Sequence, residues 1–223
     1  MAGTAATPVY LEVGAKRAFA CALDWPGWCR AGKTQELALE ALAAAAPRYA
    51  AVARRAGVRF PAGAADRFEV VERVPGSATT DFGAPGAIAA ADAERVTAAQ
   101  ARRLAALVAA AWAEFDQVRA GAPAELRKGP RGGGRDRDKM VDHLLGSDAG
   151  YARKLGVKHP PPAADNPAAI AALRDEVLAV LGRPSDGTPP LPKGWPTRYA
   201  ARRIAWHALD HAWEMQDRSD PGG

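Results

Sequence analysis

The chain contains four histidines, and two of them, His207 and His211, are separated by one helical turn in the stretch RRIAWHALDHAWEMQDR. Residues four apart share a helix face, so both imidazoles can direct a ring nitrogen to one point. Two ligands hold a divalent ion poorly, and His143, in KMVDHLLGSDAGY, is the candidate for a third. Three imidazoles that leave a fourth position free are typical of catalytic zinc. The sequence therefore predicts a metal centre of His143, His207 and His211.

The chemistry of such a centre follows from its ligands. Zinc is the first expectation, with nickel or iron as alternatives, because imidazole suits all three ions. Three neutral ligands leave the ion its full charge, which favours hydroxide or thiolate at the fourth position and lowers the pKa of a water or thiol there. The alternative to metal binding is that the histidines are ordinary packed or solvated side chains. An HxxxH pair is a weak signal alone, and a single histidine such as His143 is more often packed or solvated.

Four other residues lie close in sequence to these histidines. Arg203 and Glu214 share the helix face of the HxxxH pair, and we expect Arg203 to bind a substrate carboxylate and Glu214 to orient a ligand or accept a proton. The alternative is an ordinary Arg–Glu ion pair at the end of the helices. Ser147 and Tyr151 follow His143 by one and two turns, and neighbouring glycines would let a cofactor approach them. The alternative is that those glycines are small-residue contacts between helices. Asp142 and Asp210 each adjoin a histidine but are expected to point elsewhere.

The elements that would position these residues follow from the periodicity of apolar positions. Short strands are predicted over residues 9–14, 17–23 and 67–74, with helical segments over 34–46 and on to 55. Four longer helices are predicted over residues 92–120, 136–155, 167–181 and 197–218. The predicted class is α+β: an N-terminal ββαβ domain of residues 1–80, a linker of residues 81–91 and a four-helix bundle of residues 92–223.

Composition narrows the function classes. The net charge of +5 comes from arginines interspersed with acids, and no nucleic-acid-binding motif is present, so a nucleic-acid partner is not expected. Neither a signal peptide nor an apolar run of membrane-spanning length is found, and two cysteines do not suggest a disulfide framework. These features predict a cytoplasmic protein that does not bind membranes. The basic loop of residues 127–138 fits a flexible connection better than an anion site.

The second half of the chain, about residues 92–218, resembles the DinB-like superfamily of metal-binding four-helix bundles. That family carries one metal-binding histidine on its second helix and an HxxxH pair on its last long helix, which His143, His207 and His211 match. The superfamily includes transferases and isomerases that use mycothiol, bacillithiol or glutathione, as well as metal-dependent hydrolases. The resemblance thus implies a small-molecule substrate and a low-molecular-weight thiol such as mycothiol.

The first part, residues 9–74, is similar to the HicB-like ββαβ domain. The resemblance is carried by one turn and the helix after it: Asp24, Pro26, Gly27, Cys29, Gly32, Thr34, Glu36, Ala38, Leu39 and Leu42. It implies a module for protein interaction and oligomerisation, with a homodimer as the candidate assembly. Two functions are therefore expected: an enzyme that transfers a thiol to, or hydrolyses, a small electrophile, or a non-catalytic interaction module with a structural metal.

Overall fold

The computed structural model describes residues 6–128 and 134–219. The outermost residues of both predicted domains, and residues 129–133 of the basic loop, lie outside this part. The described chain is a mixed α+β protein whose strands all lie in its N-terminal third. The strands are β1 (Thr7–Val13), β2 (Ala18–Ala22), β3 (Cys29–Gly32) and β4 (Phe68–Pro75). The α-helices are α1 (Gln35–Ala44), α2 (Ala46–Arg55), α3 (Ala78–Phe82), α4 (Ala98–Gly121), α5 (Arg137–Lys154), α6 (Pro167–Leu181) and α7 (Thr197–Ser219).

The strands form one sheet in the order β3-β2-β1-β4. β1 and β2 make the predicted antiparallel hairpin, and β4 returns parallel to β1 after the two helices. Strand β3 was not predicted, because the Pro26-Gly27 turn interrupts the alternation of the surrounding residues. It pairs with β2 along the sheet edge, where Cys29 lies opposite Cys21.

Both faces of this sheet are covered. Alternate residues of a strand point to opposite faces, and Val9 and Leu11 of β1 enter the main hydrophobic core together with α1 and α2. Tyr10 and Phe19, on the other face, pack with Trp206 of α7. The rings of Phe19 and Trp206 meet edge to face with centroids 6.0 Å apart. The sheet is therefore fixed directly against the helix that carries the HxxxH pair.

The four long helices contact one another: α4 packs against α6 and α7, and α5 packs against the same two helices. Helix α4 begins at Ala98 and not at the predicted residue 92. The Thr97 side chain accepts a hydrogen bond from the Gln100 backbone N–H, and the Gln100 side chain accepts one from the Thr97 N–H. This capping box starts the helix there, and a short 3-10 helix occupies Ala90–Ala93. None of the helices in the described ranges is both long and apolar enough to cross a bilayer.

Helix α7 also contacts the turn before β3. Gly27 has a φ of +92°, and a Cβ added there would lie 2.6 Å from Leu209 Cδ1 on α7. Only glycine allows this approach without strain. The sheet and the long helices thus share one continuous core. The division at residues 81–91 remains a prediction; in the structure this stretch contains the end of α3 and the start of the 3-10 helix, where only a loop was expected.

Candidate metal centre

The three predicted ligands converge. His143 on α5 and His207 and His211 on α7 offer ring nitrogens that all lie within 4.8 Å of one another. The Nε2 atom of His207 is 3.2 Å from that of His143 and 3.1 Å from that of His211. His207 and His211 are buried, and His143 is half-buried. The cluster therefore lies at the seam between the two helices.

These separations fit a metal ion. Nitrogens bound to tetrahedral zinc at about 2.0–2.1 Å lie about 3.3 Å from one another, close to both measured Nε2–Nε2 distances. Facing lone pairs of neutral imidazoles repel unless a proton or a cation lies between them. A divalent ion would satisfy all three lone pairs at once, so the donor set suits zinc and similar metals.

The surroundings of His143 and His207 keep these two imidazoles neutral. The pKa of His143 is lowered to about 4, mainly by burial, with Arg135 and His211 acting in the same direction. Burial also holds the pKa of His207 well below its ordinary value, with His211 and Arg203 adding to the effect. Metal ions bind the neutral form of imidazole. At neutral pH both side chains therefore offer a lone pair and do not have to lose a proton first.

Glu214 fixes the orientation of His211. Its Oε2 is 3.1 Å from His211 Nδ1, and its Oε1 accepts a hydrogen bond of 2.8 Å from Arg218 Nη1. The hydrogen bond with His211, then that with Arg218, holds the pKa of Glu214 below its usual range although burial opposes it. An ionised Glu214 accepts a hydrogen bond from the Nδ1–H group of His211, which leaves the Nε2 lone pair toward the other histidines. The arginine that pairs with Glu214 is Arg218 and not Arg203.

A cavity of about 220 Å³ opens beside the cluster. Its lining includes the three histidines and ten further residues: Thr79, Phe82, Gly83, Ala84, Arg135, Ser147, Tyr151, Arg203, Trp206 and Asp210. Three of the four predicted neighbours of the metal, Ser147, Tyr151 and Arg203, thus lie in its wall. Glu214 is behind the histidines and does not line the cavity.

Arg203 makes the cavity positive. Its guanidinium carbon lies 4.7 Å from the Trp206 ring centroid and 5.4 Å from that of Tyr151. One terminal nitrogen, Nη1, is buried without a hydrogen-bond partner in the described part of the chain. A buried guanidinium donor without an acceptor is costly, so Arg203 is suited to bind an anionic group of a ligand.

The two aspartates beside the histidines are not part of the cluster. Asp142 is exposed. Asp210 lies 3.4 Å from Arg30 Nη1, and burial raises its pKa. The expectation for Asp210 was nevertheless incomplete, because its side chain forms part of the cavity wall.

Sequence reasoning missed several residues of the wall. Trp206 was interpreted as core because it forms a stripe with Leu209 and Trp213. It is buried and packs on Phe19, but its ring also faces His207, with centroids 6.0 Å apart. The α3 residues gave no signal, because their stretch has neither helical nor strand periodicity. Arg135 belongs to the basic loop, which shows no pattern that ties it to the histidines.

The similarity to DinB-like bundles rests on three histidines and the helix order, and that to HicB-like domains rests on one turn and the helix after it. Both remain interpretations of these motifs. No family model, curated protein or solved structure matches the chain.

Proposed function

We propose that this protein is a metal-dependent enzyme in which His143, His207 and His211 hold a divalent ion, with zinc preferred over nickel or iron. The observation that carries the proposal is the convergence of three Nε2 atoms beside an open cavity. Structural zinc sites are closed by a fourth protein ligand, whereas catalytic sites keep one position free. Among the described residues no further histidine, cysteine or carboxylate joins the cluster. This supports catalysis over a purely structural metal.

The proposed reaction is transfer of a low-molecular-weight thiol to a small electrophile, or hydrolysis of that electrophile. The chemistry that a divalent ion supplies here is Lewis acidity, which lowers the pKa of a thiol or water at its free position. Glu214 keeps His211 in the tautomer that can bind the ion. Arg203 would bind an anionic group of the substrate through its unpartnered Nη1.

Ser147 and Tyr151 have the role of hydrogen-bond partners for the thiol or the substrate. Burial raises the pKa of Tyr151 above its ordinary value, so the phenol keeps its proton at neutral pH and can donate. Both residues follow His143 on α5 and lie in the cavity wall. A ligand held at the histidines is therefore within the same enclosure as both hydroxyls.

The proposed scaffold is a four-helix bundle made of α4, α5, α6 and α7, as in the DinB-like superfamily. The packing of α5 against α7 supports this, because it joins the two helices that carry the ligands. Mycothiol or a related thiol is the proposed co-substrate on the strength of that resemblance alone. The alternative is a non-catalytic interaction module with a structural metal. A closed metal shell would favour it, and the cavity beside His143 does not.

Metal analysis tests the proposal. Purified protein, dialysed against metal-free buffer after zinc loading, should hold about one ion per chain, because three preorganised imidazoles bind zinc tightly. The His207→Ala/His211→Ala variant should lose it. His159→Ala is the matched control, since His159 pairs with Glu176 away from the cluster. Stoichiometric zinc in the double variant would refute the assignment.

A second measurement tests the open position. Zinc-loaded protein should be stabilised in thermal unfolding by mycothiol or glutathione in a concentration-dependent way, because a ligand that binds only the folded state raises the melting temperature. X-ray absorption at the zinc edge should show three nitrogen ligands and one further light atom. After a thiol is added, a sulfur atom should replace that fourth ligand. Four protein ligands that no thiol displaces would favour the structural alternative.

A further inference from the structure

The segment between the sheet and the long helices contributes one wall of the metal cavity. We define this bridging segment as residues 76–92. Four of its residues, all in or next to α3, line the cavity: Thr79, Phe82, Gly83 and Ala84. Phe82 is 87% exposed, more than any other large hydrophobic residue in the described part. Because His207 and His211 are only 5% and 8% exposed, the phenyl ring lies on the solvent side of the cavity, at its mouth, and these two imidazoles lie at its inner end.

The bridging segment is attached to the sheet by a buried acid. Glu12 of β1 is fully buried, and its carboxylate accepts hydrogen bonds from the Thr80 hydroxyl and from the backbone N–H groups of Gly86 and Ala87, the last two at 2.9 Å. These contacts lie on both sides of Phe82 in sequence. A carboxylate that accepts several hydrogen bonds forms strong, charge-assisted contacts. The backbone that carries the phenyl ring is therefore fixed in place.

Further contacts hold the same segment from two sides. The Lys16 backbone N–H donates to Asp81 Oδ1 at 2.8 Å. The Tyr199 hydroxyl of α7 donates to the Gly86 carbonyl at 3.0 Å. The segment thus joins the hairpin to the histidine-bearing helix. An exposed aromatic ring on a backbone fixed in this way is preorganised for contact with a ligand.

The cavity has two chemically different ends. The inner end holds the buried imidazoles of His207 and His211, and Arg203 adds positive charge nearby. The mouth presents the Phe82 ring. The volume of about 220 Å³ is below the roughly 300–1,000 Å³ of sites for drug-sized ligands, so the ligand is a small molecule. A molecule that fills this space has its metal-directed atom inside and an apolar group outside.

We propose that Phe82 is a specificity-determining residue. Its ring contacts an apolar, aryl-sized group of the small molecule that binds in the cavity beside the histidine cluster. The substrate class is then a small electrophile or thiol with such a group near its reacting atom. This inference rests on the proposed function, because it assumes a metal ion with a free position. It gives the N-terminal sheet a role in catalysis, since Glu12 holds the residue that selects the ligand.

Thiol binding to cobalt-substituted protein tests the inference without an activity assay. Cobalt(II) is loaded in place of zinc, and the absorption band of the cobalt–thiolate bond is followed during titration with benzyl mercaptan or with 2-mercaptoethanol. Phe82→Ala should raise the Kd of benzyl mercaptan about three- to tenfold, the range expected for one aromatic contact. It should leave the Kd of 2-mercaptoethanol unchanged. The variant should fold normally, because the ring is exposed.

Ile88→Ala is the matched control. Ile88 is an exposed apolar residue of the same segment, 47% accessible, that does not line the cavity. Its removal should change neither Kd. If Phe82→Ala leaves the Kd of both thiols unchanged, or raises both by the same factor, the proposed role of Phe82 is overturned and the metal site is not. A parent protein that gives no thiolate band with either thiol overturns thiol transfer as the proposed function, and the inference with it.

Discussion

Asp148, on α5, gives the sharpest test of the physical reasoning. Its side chain is buried, with 2% exposure, and neither carboxylate oxygen has a hydrogen-bond partner in the described part of the chain. Burial raises the pKa of Asp148 from 3.8 to about 7, although the charge of Arg174 and the Trp112 indole act in the opposite direction. The folded protein therefore retains a proton that the unfolded chain releases. We expect Asp148→Asn, which replaces the acid by a neutral group of the same shape, to stabilise the protein near neutral pH.

The magnitude follows from the shift. A pKa that rises by about 3 units on folding corresponds to about 4 kcal/mol of lost stability once the acid is ionised in both states. The sign is that of an acid whose pKa is raised on folding. The protein loses no stability below about pH 4, loses it progressively between pH 4 and pH 7, and has lost the full amount above pH 7. Between pH 5 and pH 8, the stability advantage of Asp148→Asn over the parent should grow by about 2–3 kcal/mol.

Urea unfolding of both proteins at several pH values between 5 and 8 measures this difference. The free energy of unfolding in water comes from linear extrapolation, and an unchanged slope with urea shows that the same surface is exposed. Asp142→Asn is the control, because Asp142 lies on the same helix but is exposed. Parallel pH profiles for Asp148→Asn and the parent would show that the buried carboxyl does not carry the predicted penalty.

Three further predictions concern single contacts. Glu214→Gln should weaken zinc affinity about 10- to 100-fold in a chelator competition, because His211 loses its charged partner; unchanged affinity would contradict the orienting role. Asp92→Asn should lower the free energy of unfolding by about 3–5 kcal/mol, because it leaves Arg202 buried without its charge partner; Asp92→Asn combined with Arg202→Met should recover much of this loss in the same urea assay. Gly27→Ala should lower the melting temperature by at least about 4 °C, since φ is +92° and the added Cβ overlaps Leu209; an unchanged melting temperature would show that the turn can move.

The histidine cluster could be predicted because its signal is local. The spacing of His207 and His211 places both on one helix face whatever the tertiary structure. His143 required more, since only the packing of α5 against α7 brings it to 3.2 Å from His207. The apolar periodicity of both helices made that packing foreseeable. The open cavity was predicted only in outline, from Ser147 and Tyr151.

The wall of the cavity could not be predicted, because it depends on how separate segments meet. Alternation along β1 places the Glu12 side chain on the other face of the strand from Val9 and Leu11. For an acidic residue, this predicts a solvent-exposed side chain. The second face of the sheet is covered by α7 and the bridging segment, so Glu12 is buried and binds backbone N–H groups. No pattern in the sequence predicts that an acidic side chain is buried and accepts hydrogen bonds from the backbone of a distant loop. Phe82, which that loop carries, was missed for the same reason.

The contacts of α7 also have a consequence for the order of events during synthesis. A nascent chain that ends after α6 does not yet contain α7. The sheet face that carries Phe19 is then not packed against Trp206, and His143 of α5 is without His207 and His211. Exposed apolar surface of this kind is what chaperones recognise and what drives aggregation of nascent chains. The histidine cluster therefore forms only after translation has passed residue 211. If the cluster holds a metal ion as proposed, the ion binds in the same late step in which the fold closes.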